Sequence, residues 1–346
     1  MKLRIYVVVS AIAAVLLCGA AAVPPGVQDN FLDETFAEEV YWTEAEGEEG
    51  APPDEPRIRW AEFTVPAKAL RQAAGYAVEA HGAGMEADWI AWLAMVGTKY
   101  GGNWGSFRAA DLQKAYAGDP ALTRMQSSKY YAYYYEVYTA VLKEFIGGYT
   151  IYIPDGDAEP KRAERFGLTA FSPIAEGYGY THYDDFGAGR GYGYRRRHLG
   201  NDVMGSVGTP VCAVEGGTVT ELGWNRYGGW RVGIRSRDGL RYWYYAHLRK
   251  DRPYAKGLEK GAAVSAGDVI GYLGMTGYSV KENVNNIKVP HLHFGLQLIF
   301  HPSQEKGVKE IWVDTSSLLY LLDDHRVTVT RTADGEAMRK YQITRD

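Results

Sequence analysis

The pattern of apolar and polar positions changes twice along this chain. From residue 57 to about Tyr149, apolar residues recur at helical spacing, and Gly or paired Gly residues interrupt the runs. This spacing predicts three helices, over Ala67–His81, Glu86–Tyr100 and Ser128–Phe145. The sequence therefore predicts a small helical domain in the first half of the protein.

From about Val207 the apolar runs become short and alternate with polar residues, with glycines between them. Such a pattern is typical of antiparallel β-structure. Six strands are predicted: Pro210–Val214, Gly217–Leu222, Arg231–Arg235, Arg241–His247, Val269–Leu273 and His291–Leu298. The expected fold class is thus α+β and multidomain, with the helical domain followed by an antiparallel all-β domain.

The composition of each segment sets the predicted domain boundaries. Lys2 and Arg4 precede an apolar run over residues 5–23, so residues 1–23 are predicted to be an export signal or a membrane anchor. Both alternatives stay open, and either places the protein in the cell envelope or the extracellular medium. Residues 24–56 hold eleven acidic residues and no Lys or Arg, which predicts a disordered linker. The remaining predicted units are a helical domain at 57–150, a connecting segment at 151–190, the all-β domain at 191–322 and a polar tail at 323–346.

Charge and cysteine content exclude some classes of function. Outside the acidic linker, residues 57–346 hold 36 basic and 31 acidic residues, a balance of +5. This mild positive charge suits work near an anionic cell envelope, but no dense basic patch predicts nucleic-acid binding. The only cysteines are Cys18, inside the apolar run, and Cys212. We therefore expect no disulfide, and we interpret Cys212 as a small buried hydrophobic residue.

A run of tyrosines between Tyr130 and Tyr138 has two interpretations. It could form a surface on which sugars stack, or it could pack as core. On a helix these residues cover more than one face, so the sequence favours packing against the core or a neighbouring domain.

Four histidines of the all-β domain fall in three short motifs. His198 and Asp202 form H-x-x-x-D, in which Gly200 would let the backbone bend; His247 ends a predicted strand; and His291 and His293 form H-x-H within another. Residues two apart in a strand point to the same side, so both histidines of H-x-H can enter one cleft. A catalytic zinc ion commonly takes three protein ligands. The five candidate residues are therefore two more than the metal requires. In a peptide hydrolase these two could accept a proton from the attacking water and donate a hydrogen bond to the developing oxyanion.

The ordered motifs resemble those of the lysostaphin-like (LytM-type) zinc peptidases over roughly residues 195 to 300. The histidine motifs extend to Tyr245-Ala-His247-Leu and Pro290-His-Leu-His-Phe294. The resemblance also includes two further segments: Gly208-Thr-Pro-Val-x-Ala213 with Gly217-x-Val219, and Gly267-Asp-Val-Ile-Gly-Tyr-Leu-Gly274-Met-Thr-Gly277. The resemblance implies a β-domain of the duplicated hybrid motif type with a cleft across its sheet. It also implies an endopeptidase that cuts the stem or cross-bridge of peptidoglycan.

Site roles follow from the same resemblance, position by position. His198, Asp202 and His293 would bind one zinc ion per chain, and His247 and His291 would be the catalytic pair. A tyrosine upstream of the first ligand, Tyr192 or Tyr194, would support the oxyanion. The alternative is a non-catalytic LytM-like scaffold that binds the wall or activates another hydrolase, but the ligand set is intact.

Two departures from the family pattern concern substrate choice more than reaction type. Gly295 stands where the family often has Glu, and the polar stretch Tyr278–Val289 is longer than expected. This stretch is predicted to border the cleft. The sequence leaves open which bond is cut, what the oligomeric state is, and whether the helical domain or the segment Ala158–Arg197 covers the cleft.

Overall fold

A computed structural model describes residues 58–155, 158–191, 195–306 and 309–345. Among these residues no helix combines the length and the apolar character needed to cross a membrane. The apolar run at 5–23 and the acidic linker at 24–56 lie outside the described residues, so the predictions for them stay predictions.

The first part of the described chain is helical, and the three predicted helices are all present. The helices are α1 (Ala67–Gly82), α2 (Trp89–Tyr100), α3 (Ala109–Tyr116), α4 (Pro120–Thr123), α5 (Lys129–Leu142) and, near the end of the chain, α6 (Ser316–Leu322). The Asp88 carboxylate caps α2 by accepting from the amide of Ala91 at 2.9 Å, and Gly101 ends the helix in the left-handed region. The sequence did not predict α3, α4 or α6, each of which has eight residues or fewer.

The tyrosines of α5 mostly pack inward. Tyr138 is 1% exposed, and its hydroxyl accepts a hydrogen bond from Trp104 Nε1 at 2.9 Å. Tyr131, Tyr133, Tyr134 and Tyr135 lie partly buried against the same core, whereas Tyr130 is exposed. The packing agrees with the interpretation of this run as core.

The strands are β1 (Ile146–Asp155), β2 (Ala158–Leu168), β3 (Tyr180–His182), β4 (Gly189–Gly191), β5 (Arg195–Arg197), β6 (Asn201–Gly205), β7 (Pro210–Cys212), β8 (Gly217–Asn225), β9 (Gly229–Ser236), β10 (Arg241–Ala246), β11 (Ala263–Val264), β12 (Val269–Tyr272), β13 (His291–Leu298), β14 (Ile311–Val313), β15 (Val329–Arg331), β16 (Ala337–Arg339) and β17 (Gln342–Thr344). The six predicted strands are confirmed, with ends that differ by a few residues. The main sheet is antiparallel in the order β11-β8-β9-β10-β13-β6-β3, and β14 also pairs with β13. Its mostly antiparallel character is as predicted; the duplicated hybrid arrangement stays a prediction.

Two segments have more regular structure than the sequence indicated. The segment 151–190, predicted only as a connection, contains most of the β1–β2 hairpin as well as β3 and β4, and β1 already begins inside the predicted helical domain. The predicted polar tail, 323–346, contributes β17, which pairs with β1 to complete a three-stranded sheet, and the β15–β16 pair. Most side chains described in β2 are exposed or half-buried. Such strands lack the alternation of apolar and polar residues that makes a strand detectable in sequence.

The two faces of the main sheet differ in character, and the helical residues contact the apolar one. Leu292, Phe294 and Trp243 are buried on this face. The Phe145 ring lies 6.3 Å from that of Trp243, and Arg241 Nη1 donates to the Ala140 carbonyl at 2.5 Å. The end of α5 and the turn after it therefore pack on the sheet face opposite to the one that carries His291 and His293.

Candidate metal and catalytic centre

Strand pairing brings the three histidine motifs to one face of the main sheet. His293 of β13 stands opposite Asp202 of β6 and opposite Ala246 of β10. His291 lies two residues before His293, so it points to the same side. His198 precedes β6 by three residues, and His247 directly follows β10. The expected convergence of the five residues is therefore present.

Three of these side chains direct one ligand atom each toward a common point. His198 Nε2 lies 2.8 Å from His293 Nδ1 and 3.1 Å from Asp202 Oδ1, and His293 Nδ1 lies 3.4 Å from Asp202 Oδ1. All three atoms fall within 4.8 Å of one another. Two imidazole nitrogens and one carboxylate oxygen form a donor set that suits Zn²⁺.

The environment of Asp202 Oδ1 supports a cation at this point. This oxygen is buried and accepts no hydrogen bond from the described residues, although three imidazole nitrogens lie near it. A buried carboxylate oxygen without a donor is costly unless a cation compensates for it. The residues present thus fit a divalent metal ion.

The other two histidines, His247 and His291, are each oriented by a backbone carbonyl. His247 Nδ1 lies 2.8 Å from the carbonyl oxygen of Thr276, and His291 Nδ1 lies 2.8 Å from that of Val289. A carbonyl only accepts, so in both rings Nδ1 carries the proton and donates it. The Nε2 atom of each ring is therefore left unprotonated in the neutral form. The His291 Nε2 atom is 3.7 Å from Asp202 Oδ1, at the edge of the ligand set.

His247 has both an unusual backbone and an unusual ionisation. Its φ of 62° places a non-glycine residue in the left-handed region, a conformation that surrounding structure must maintain. Burial, together with the neighbouring His291 and His293, holds the pKa of His247 well below its usual range. His247 is consequently neutral near pH 7, with its Nε2 unprotonated.

Burial and mutual contacts also set the ionisation of the ligand residues. Burial alone would raise the pKa of Asp202, but the imidazoles of His198 and His293 hold this pKa below its ordinary value. Burial lowers the pKa of His293 in turn, and the contact with Asp202 opposes that shift only in part. An ionised carboxylate beside a neutral imidazole is the state in which both bind a metal ion.

Two glycines make space at the site. A Cβ on Gly200 would lie 2.7 Å from the Phe294 carbonyl oxygen and 2.8 Å from the His293 ring. The φ of Gly200 lies outside the left-handed region, so the structure adds a second reason for glycine here, which is room beside His293; the expected bend of the backbone stays a prediction. At Gly295 a Cβ would lie 2.8 Å from the Trp312 ring. The residue that departs from the family pattern thus makes room for an aromatic side chain.

Several residues near the site were not predicted. The Tyr244 ring meets the His293 ring edge to face at 5.8 Å, and the Tyr278 ring stacks on His247 at 5.9 Å. Asp185 and Arg190 contact the ligands His198 and Asp202. Tyr244 lies in the predicted strand Arg241–His247, but Asp185 and Arg190 lie just before and within a short hairpin that carries no alternation signal.

The remaining predictions for this region have different outcomes. Tyr192 and Tyr194 lie outside the described residues, so their proposed support of the oxyanion stays a prediction. The stretch Tyr278–Val289 does border the cleft, through Tyr278 and through the Val289 carbonyl. The other four histidines lie outside the ligand group and contact other parts of the protein: His81, His182, His301 and His325.

Comparison with known proteins agrees with this geometry. The model of peptidase family M23 matches residues 196–306. The L-Ala--D-Glu endopeptidase of Bacillus subtilis is 41% identical over 124 residues, which cover 36% of this chain and 36% of the relative. The glycyl-glycine endopeptidase ALE-1 of Staphylococcus capitis is 38% identical over 120 residues, which cover 34% of this chain and 28% of the relative.

A solved structure of the lysostaphin catalytic domain from Staphylococcus simulans is also similar. It is 34% identical, with 34% of this chain and 80% of that chain covered and a TM-score of 0.29. The chain spans about a third of the length of the curated relatives described above, or less. The donor set suits a metal-dependent peptidase, and residues 196–306 form a domain similar to those of peptidase family M23.

Proposed function

We propose that this protein is a zinc-dependent endopeptidase that hydrolyses peptide bonds in the stem or cross-bridge of bacterial peptidoglycan. The observation that carries the proposal is the convergence of His198, Asp202 and His293 on one point, with His247 and His291 beside it. The relatives named above are endopeptidases, which supports the same reaction class.

The metal role follows from the donor set. His198 Nε2, Asp202 Oδ1 and His293 Nδ1 would hold one zinc ion. When bound, zinc polarises the scissile carbonyl and lowers the pKa of the attacking water. The buried Oδ1 of Asp202, which accepts no hydrogen bond from the described residues, would gain a positively charged partner in the ion.

The protein's own contribution is proton transfer and orientation. With Nδ1 fixed on a backbone carbonyl, His247 and His291 each present an unprotonated Nε2 to the cleft. Such a nitrogen can take a proton from the attacking water. The resulting imidazolium then carries a proton on Nε2 that can stabilise the developing negative charge or pass to the leaving amine.

The choice between stem and cross-bridge depends on the cleft walls. The sheet face next to His293 carries Tyr244, with Trp312 6.2 Å from it and Tyr242 6.4 Å from it. On the other side stands the loop that follows Gly277. The named relatives act on an L-Ala–D-Glu bond or a glycyl-glycine bond, so both classes of bond are candidates for this protein.

The proposed place of action is the cell envelope or the extracellular medium. The apolar run at residues 5–23 supports export, and the acidic linker supports a spacer between that run and the folded residues. Cell fractionation with an antibody to the folded part tests this: recovery in the cytoplasmic fraction alone would contradict it.

Digestion of purified peptidoglycan sacculi tests the function. We expect soluble fragments from the wild type and a loss of about 10²- to 10⁴-fold in rate for His291→Ala and for His247→Ala. His301→Ala is the matched control, because its ring contacts Ser303 and lies outside the ligand group. Chelation should abolish the activity, and stoichiometric zinc should restore it.

Mass spectrometry of the released muropeptides identifies the bond. New termini at a stem or a cross-bridge peptide bond would support the proposal and choose between the two classes. Equal digestion by wild type and His291→Ala would refute the catalytic role of His291. No digestion by the zinc-loaded wild type would favour the scaffold alternative.

A further inference from the structure

A short hairpin upstream of the first ligand contacts two of the three metal-binding residues. Strands β4 and β5 pair with Gly189 opposite Arg197 and Arg190 opposite Arg196. The pairing continues to His198, because Gly187 N donates to the His198 carbonyl at 2.7 Å and His198 N donates to the Ala188 carbonyl at 2.9 Å. Arg190, two residues beyond Ala188, therefore lies on the same face of the hairpin as the His198 side chain.

Arg190 contacts the carboxylate of the second ligand. Its Nη2 donates to Asp202 Oδ2 at 2.9 Å and also to Asp185 Oδ2. Oδ2, which accepts from Arg190, faces away from the ligand set, whereas Oδ1 faces the imidazoles of His198 and His293. With Oδ2 held, rotation of the Asp202 carboxylate away from this orientation costs a charge-assisted hydrogen bond.

Asp185 contacts both ligands through different atoms. Its backbone carbonyl lies 3.2 Å from His198 Nδ1, so it accepts from the ring and leaves Nε2 free for the metal. Its Oδ1 accepts from the backbone amide of Asp202 at 3.3 Å, and its Oδ2 accepts from Arg190. Asp185 thus connects the first ligand, the second ligand and Arg190.

The charged side chains next to the ligands have a net negative charge, which favours binding of a cation. An arginine beside a metal site would on its own repel the ion. Asp185 cancels that positive charge, so Asp185, Arg190 and Asp202 together keep one net negative charge near the imidazoles. The side chains of Asp185 and Asp202 are 18% and 16% exposed, which limits the screening of these charges by water.

We propose that Asp185 and Arg190 are positioning residues that hold His198 and Asp202 in the orientation that binds zinc. This inference rests on the proposed function for the identity of the metal. It adds two residues to the site that contact the ligands but are not members of the ligand group.

Zinc affinity tests the proposal without relying on activity. The full-length protein would be stripped of metal, and its zinc dissociation constant measured by competition with a chromogenic chelator. We expect Arg190→Gln to weaken zinc binding by about 10- to 100-fold. Arg190→Lys keeps the charge but loses the planar fork, so its loss should be smaller. Arg162→Gln is the matched control, because this arginine is exposed and pairs with Glu164 on its own strand, β2.

A second variant tests whether Asp185 and Arg190 act through the same contact. Asp185→Asn keeps the backbone carbonyl that orients His198 but weakens the contact with Arg190, so its loss of zinc affinity should be smaller than that of Arg190→Gln. The double variant should lose less than the product of the two single losses, because both act through one contact. The visible spectrum of the cobalt-substituted protein should change in Arg190→Gln if the Asp202 carboxylate has turned.

The possible outcomes are distinct. Unchanged zinc affinity in Arg190→Gln, or tighter binding because Arg190 competes with the metal for Asp202, would overturn the proposal while leaving the peptidase function intact. Conversely, weaker zinc binding in the variants of a protein that never digests peptidoglycan would support the positioning role and refute the proposed function. A thermal unfolding midpoint of metal-free Arg190→Gln equal to that of the wild type confirms that folding is not the cause.

Discussion

At the scale of single residues, the chemistry depends on which atom of each side chain faces the cleft. The alternation of β-strands was enough to predict that His291 and His293 share a face. It could not predict that Nδ1 of His247 and His291 would bond to the carbonyls of Thr276 and Val289. Every residue has a carbonyl, so no residue type in the sequence marks the ones that fix a histidine ring.

Gly200 shows how strongly a ligand depends on its neighbours' volume, and it yields a first prediction. In Gly200→Ala the new Cβ would lie under 3 Å from the His293 ring and the Phe294 carbonyl. We expect His293 to be displaced at a cost of about 1–3 kcal/mol, which corresponds to about 5- to 150-fold in zinc affinity. The chelator competition assay measures this.

Gly179→Ala is the matched control for that variant. Gly179 has nothing within 4 Å of its Cβ position, and its φ is not in the left-handed region. The control should bind zinc as the wild type does. If Gly200→Ala also bound zinc with wild-type affinity, the strands β6 and β13 would have to be able to separate, and the packing argument would fail.

At the scale of elements, the sequence predicted the strands and helices whose apolar residues alternate or recur at helical spacing. Strand β13 has the predicted bounds, and its apolar side chains are buried as expected. The hairpin of β4 and β5 was missed because its strands are three residues long and glycine occupies both ends of β4. Its contribution to the site, Arg190, is visible only once the register with His198 is known.

The long loop between β12 and β13 is the element we expect to control substrate binding. Asn283 holds it: its Oδ1 accepts from Trp230 Nε1 at 2.9 Å and from the Asp251 amide at 2.8 Å, and its Nδ2 donates to Asp251 Oδ1 at 2.6 Å. Between Lys250–Asp251 and residues 281–285 lies a groove of about 500 Å³. The loop then reaches the site through Tyr278, which stacks on His247.

Asn283→Gly tests that role while keeping the backbone conformation, since φ at this position is 60°. Loss of the side-chain hydrogen bonds, each contributing about 0.5–1.5 kcal/mol, should loosen the loop. We expect KM for a purified muropeptide substrate to rise by about tenfold with a smaller change in kcat. Val280→Ala, on the same loop but 85% exposed, should leave both constants unchanged. A fall in kcat with KM unchanged would show that the loop acts on the catalytic histidines instead.

At the scale of the whole molecule, the helical residues and the main sheet share one hydrophobic core. The contacts lie on the Trp243 side of the sheet, while the proposed zinc ligands lie on the other side. The helices therefore do not cover the cleft through these contacts, whereas the segment Ala158–Arg197 reaches the site through Asp185 and the β4–β5 hairpin. Sequence patterns could assign each part its fold class, but not the face on which the parts meet, because both faces of β10 carry aromatic residues.

Arg241 connects the two parts, and its removal is the last prediction. Its side chain is fully buried, pairs with Glu215 through Nε at 2.7 Å and Nη2 at 3.0 Å, and donates to the Ala140 carbonyl of α5. Arg241→Ala would leave Glu215 buried without its positively charged partner, with only Trp243 Nε1 among its described donors still in place, a loss that typically costs about 3–5 kcal/mol. Urea unfolding followed by helical circular dichroism and by tryptophan fluorescence should show both signals shifting together, because the shared core makes unfolding cooperative. The exposed variant Arg162→Gln should cost under about 1 kcal/mol. If the helical signal kept its wild-type midpoint in Arg241→Ala, the helices would be folding independently of the sheet, and Arg241 would stabilise the sheet alone.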